Sequence, residues 1–129
     1  MEKSVVIKSS DTDAVLKFSN PKNDHFEVSF SSSYLSASKR VWGYVGAPCE
    51  FLVELLDELA SRWKGWDGIE EWSSMLGDFK LAFTSNSLGH VKIKIELIEN
   101  DNSWLINAEI KTELGQLEQI SRQVKNFFS

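Results

Sequence analysis

The chain has 129 residues, 42% of them hydrophobic and 26% charged, which suits a single folded domain over 1–129 with a real core and excludes a disordered or fibrous polypeptide. A net charge of −5 argues against a sequence-independent grip on nucleic acid, which rests on Lys and Arg, and makes a basic protein the natural electrostatic complement. The apolar runs are too short to span a bilayer, the first residues lack a signal-peptide pattern, and the one cysteine, Cys49, can staple nothing within the chain. The expected setting is therefore the cytoplasm, without membrane contact.

Residues 5–8, 14–19 and 25–31 read as β-strands separated by SSDTD and NPKND, whose Ser, Asp, Asn and Pro form turns. In the third run Phe26, Val28 and Phe30 alternate with Glu27, Ser29 and Ser31, the period of a strand with one buried face. A fourth strand is expected between Tyr34 and Tyr44, with a blurred alternation. After Pro48 the period becomes helical: Phe51, Leu52, Leu55, Leu56, Leu59, Ala60 and Trp63 define an apolar stripe that Gly65 would end.

Beyond a tryptophan-rich connection, Phe79, Leu81 and Phe83 alternate, then Val91 to Leu97, then Trp104 to Ile110, with turns at SNSLG and NDNS. Leu117, Ile120, Val124, Phe127 and Phe128 form a closing helical stripe, with Gly115 as N-cap and Glu118 in capping-box position. The expectation is an α+β domain: an antiparallel β-sheet of about seven strands in two meanders, with two helices packed on one face. The two strand-helix halves have similar outlines, although no repeat is evident in the residues themselves.

Common catalytic signatures are missing: there is no P-loop, HExxH, G-x-S-x-G or EF-hand loop, and no cofactor or metal is expected. The most suggestive charge pattern lies on the first helix, where Glu50, Glu54, Asp57 and Glu58 fall on the side opposite the leucines without an interleaved lysine. Asp67, Glu70 and Glu71 extend the acidity just beyond it. Such a ridge matches the phosphate-binding groove of a nucleic-acid-cleaving protein. In RWKGWDGIEEW, Trp63 is in phase with the leucines and is expected in the core, whereas Trp66 and Trp72 are expected to flank a loop that returns the chain to the sheet. A ligand pocket built from Trp66, Trp72 and His90 is the alternative use of this cluster.

The stretches RWKGWDGIEEWSSMLGDFKL, SLGHVKIKIEL and ELGQLEQISRQVKNFF resemble a small uncharacterised bacterial domain family with a W-x-G-W-x-G...W pattern, a G-H-V strand and a G-Q-L-E terminal helix, over roughly 51–129. In size, acidity and strand content the chain is also similar to immunity proteins of toxin delivery systems such as contact-dependent growth inhibition. That resemblance implies a cytoplasmic, non-enzymatic inhibitor, a monomer or weak dimer, that binds the C-terminal domain of a cognate toxin. On the acidic pattern, Glu54, Asp57 and Glu58 are the first candidates for partner contact, followed by Asp67, Glu70 and Glu71.

Overall fold

Period-two alternation builds most of the molecule. The computed structural model describes residues 3–129. Strands β1 (Val5–Lys8), β2 (Val15–Ser19), β3 (His25–Ser31) and β4 (Ser36–Trp42) form an antiparallel meander in that order. Val5, Ile7, Leu16, Phe18, Phe26, Val28, Phe30 and Val41 all turn to its inner face. The chain then enters helix α1 (Ala47–Ser61), with Pro48 in the first turn, where its missing N–H costs nothing.

A second meander follows, β5 (Glu70–Ser73), β6 (Phe79–Ser85), β7 (His90–Ile98) and β8 (Leu105–Glu113), again in chain order. Its inner face carries Trp72, Phe79, Leu81, Phe83, Val91, Ile93, Ile95, Leu97 and Ile110. A short 3-10 turn, Leu114–Gln116, leads into helix α2 (Leu117–Phe127). The molecule is thus four strands and a helix, twice over.

One core joins the two halves. Phe18 of β2 meets Phe79 of β6 edge to face at 5.6 Å, and Phe127 of α2 meets Phe18 at 5.9 Å and Phe26 at 5.6 Å. Aromatic pairs in this geometry add about 0.5–1.5 kcal/mol each beyond the area they bury. The helices pack against each other, and α2 also lies against β1. The β1–β2 turn is tied to the far edge strand, since Ser10 N donates to Lys111 O and Lys111 N donates to Ser9 Oγ.

Several expectations are corrected. The single sheet of about seven strands is two four-stranded sheets, because α1 separates the meanders and β5, only four residues long, shows too little alternation to be read. The two helices consequently share a core with both sheets rather than covering one face of one sheet. Helix α1 ends at Ser61, and the Arg62 N–H bonds back to Leu59 O, so Trp63 leaves the helical phase and is 75% exposed instead of buried. Trp72 lies in a strand rather than beside a loop. Gly115 does not cap α2: Gln116 occupies the cap position, and no side chain caps the end.

Candidate functional site

On α1 the burial of Cys49, Leu52, Leu56 and Leu59 fixes which side meets solvent. Glu50, Phe51, Glu54, Asp57 and Glu58 are all exposed. Phe51 is the unexpected member. It is 60% exposed and stands three residues before Glu54 and seven before Glu58, on the same side of the helix. An aromatic ring held in water among carboxylates is a costly surface feature unless something covers it.

Arg62 shapes the far end of this surface. Its guanidinium pairs with Glu58 one turn back and reaches Glu70 at 3.5 Å, so a single cation links the helix to β5. Glu50, Glu54 and Asp57 have no ion-pair partner among the described residues. Asp67 is exposed in the connection between helix and strand. Successive residues of β5 face opposite ways, so Glu71 is separated from the ridge and lines a concavity on the outer face of the second sheet, with Lys80, Lys94 and Glu109. The structure therefore groups Glu54, Asp57 and Glu58, attaches Glu70 through Arg62, and sets Glu71 apart.

The three members of the alternative pocket do not line a common cavity. Trp72 is buried on the inner face and its indole N–H donates to Pro48 O at the start of α1. Trp66 is half-buried, its indole N–H donating to Phe83 O at 3.2 Å. His90 is exposed on the outer face, with Nδ1 2.8 Å from Glu113 Oε2. The glycines explain the motif's shape: Gly65 and Gly68 both adopt positive φ, and at Gly65 an added Cβ would lie 2.7 Å from Ser85 Oγ. That hydroxyl accepts from Trp66 N at 2.9 Å.

Cys49 is buried in the first turn of α1, within 2.9 Å of Gly43 O. Burial first, and the neighbouring Glu50 charge second, push its thiol up from 9.0 to about 12. The helix N-terminus does not activate it.

A cluster around Lys39 is absent from the sequence-based expectations. Lys39 lies at an inward position of β4, its side chain 3% exposed, and its ammonium is 3.0 Å from Oδ2 of Asp78, itself 6% exposed. Asn100 Oδ1 accepts from the same ammonium at 3.1 Å, and Ser74 Oγ donates to Asp78 Oδ1 at 2.7 Å. Asp78 Oδ2 makes no hydrogen bond, and the Lys39 ammonium is its sole ion-pair partner among the described residues. This pair fastens the edge of the first sheet to the β5–β6 turn of the second. Its sequence signal was the blurred alternation of β4, caused by a lysine where the pattern calls for an apolar residue.

With this geometry established, the comparisons with known proteins are informative about kinship. The family of unknown function DUF6228 matches residues 7–129. The chain belongs to that family. The match takes in both strand-helix halves. Among curated proteins nothing matches. A solved structure of Trypanosoma bruciei MRP1/MRP2 is similar at a TM-score of 0.49 and 10% identity, over 98% of this chain and 82% of that one. A likeness that weak carries no inference about this DUF6228 chain. No helix among the described residues is long and apolar enough to cross a membrane.

Proposed function

We propose that the protein is a non-enzymatic binding protein that neutralises a cognate bacterial toxin domain by stoichiometric association, as an immunity protein does. The observation that carries this reading is Phe51, 60% exposed on the same side of α1 as Glu54 and Glu58. An aromatic anchor surrounded by charge is the arrangement of an interface centre and its rim: the ring supplies desolvation energy and the carboxylates supply orientation and encounter rate. The complementary partner is a basic surface with an apolar recess, such as the substrate groove of a nucleic-acid-cleaving toxin domain.

Nothing in this role requires chemistry from the chain. The partner-binding residues are Phe51, Glu54, Asp57 and Glu58, with Glu70 and Asp67 at the margin and Glu71 outside the main contact. Charge reversal of Glu54 and Glu58 together, tested against a candidate cognate toxin domain, is expected to weaken binding at least about 100-fold, in line with charge-pair couplings at protein interfaces. The thermal midpoint should shift by no more than a few degrees, because both groups are solvated. Unaltered affinity would remove this surface from the account.

A further inference from the structure

We propose that the outer face of the second sheet holds a binding site for a tetrahedral dianion, the phosphoryl group of a small molecule, between Lys92 and Lys111. The cross-strand register isolates this pair. On the same face Lys80 stands opposite Glu96, Lys94 opposite Glu109 and His90 opposite Glu113, so each of these three has an acid across from it. Lys92 alone stands opposite another lysine, Lys111. Like charges directly opposite each other destabilise a sheet, and nothing in the packing of an exposed face requires them. A bound anion reverses the sign of that interaction.

The surroundings consist of donors. A concavity of about 320 Å³, within the size range of small-molecule sites, is lined by Thr84, Ser85, Asn86, His90, Lys92 and Lys111, with no carboxylate. Thr84 is directly opposite Lys92 on the other side, so a hydroxyl and two ammonium groups span three adjacent strands. Asn86 Oδ1 accepts from Leu88 N at 2.9 Å and His90 N at 3.1 Å, which fixes its amide and leaves Nδ2 as a further donor. Two of the lining groups already hold acids, Asp11 at 3.2 Å from Lys111 and Glu113 at 2.8 Å from His90, so a bound anion competes with Asp11 for Lys111. Lys92 has no carboxylate within 4 Å among the described residues and supplies the uncompensated charge.

The test is a chemical-shift titration of the ¹⁵N-labelled protein with inorganic phosphate, phenyl phosphate and acetate at constant ionic strength, repeated on Lys92→Gln. The expected result is saturable shifts confined to Thr84, Asn86, His90, Lys92 and Lys111 for the two phosphates but not for acetate. Affinity should fall roughly tenfold or more in Lys92→Gln, the loss expected when one charge-assisted hydrogen bond is removed. Tighter binding of phenyl phosphate identifies an organic phosphate as the ligand class, and equal binding identifies the free ion. Non-saturating shifts, equal response to acetate, or no change in Lys92→Gln would mean an adventitious ion only and would overturn the proposal. Lys92→Gln is expected to fold, with a thermal midpoint equal to or above that of the parent chain, because it relieves a repulsion. The site faces away from α1, so its failure leaves the partner-binding reading standing.

Discussion

Replacing Lys39 with Met takes away the one ion-pair partner that a buried carboxylate oxygen has among the described residues. In the parent chain Lys39 Nζ lies 3.0 Å from Asp78 Oδ2, with side-chain exposures of 3% and 6%. Removing one member of a buried pair leaves the other charge uncompensated, at a cost of about 3–5 kcal/mol, whereas an exposed pair contributes only about 0–1 kcal/mol. For 129 residues the unfolding entropy near the midpoint is about 270 cal/mol/K, so each kcal/mol moves the midpoint about 4 °C. Lys39→Met should therefore lower it by roughly 11–18 °C. Asp78→Asn, which preserves the shape but not the charge, should also be destabilising but by less, because Lys39 keeps Asn100 at 3.1 Å and Glu99 at 4.0 Å. The double variant should recover about half of the summed loss, since neither charge is then stranded. Thermal and urea unfolding followed by circular dichroism, arranged as a double-mutant cycle, measures this. Single losses below about 1 kcal/mol, or strict additivity, would show that water reaches the pair and would refute the reasoning.

The tryptophans should separate sharply: Trp72→Ala is expected to cost about 3–5 kcal/mol by unfolding and Trp63→Ala under about 0.5 kcal/mol, with Trp63 fluorescence the one most readily quenched by acrylamide. Gly65→Ala should destabilise by about 1–2 kcal/mol from positive φ alone, and by more than Gly68→Ala, because only at Gly65 does the new methyl strike Ser85. Cys49 should resist iodoacetamide in the native state at pH 8. Its thiol proton is retained in the folded chain up to about pH 12 but lost from the unfolded chain near 9.0, so its contribution leaves stability unchanged below that lower value and erodes it as pH rises between the two.

Where a segment's local pattern matched its surroundings, the sequence was informative. β1 and β3 begin and end at the residues expected from their alternation, and the two helices follow their leucine and Ile-Val-Phe stripes. Trp63 was misplaced because helical phase was extended two residues past the true end of α1, where Arg62 takes a non-helical conformation. β5 was missed because EEWS offers one apolar residue and two acids, and its strand state comes from pairing with β6 rather than from propensity. The acidic side of α1 was legible from spacing alone. Phe51 falls within the apolar stripe by spacing, and nothing in a run reading EFLVELL distinguishes a ring that is buried from one that is left in water. Glu70 and Glu71 read as one acidic patch only until β5 is recognised as a strand, which sends neighbours to opposite faces. Lys92 and Lys111 escaped notice because only the register between β7 and β8, which depends on the turn joining them, sets them opposite each other.

The most direct measurement is a calorimetric titration of this protein with the C-terminal domain of a candidate cognate toxin, a basic nucleic-acid-cleaving domain, at low and moderate salt. One-to-one binding in the nanomolar range or tighter is expected, weakening as salt screens the carboxylates around Phe51. Absence of heat at several temperatures, or tight binding that persists unchanged when Phe51, Glu54 and Glu58 are all replaced, would contradict it.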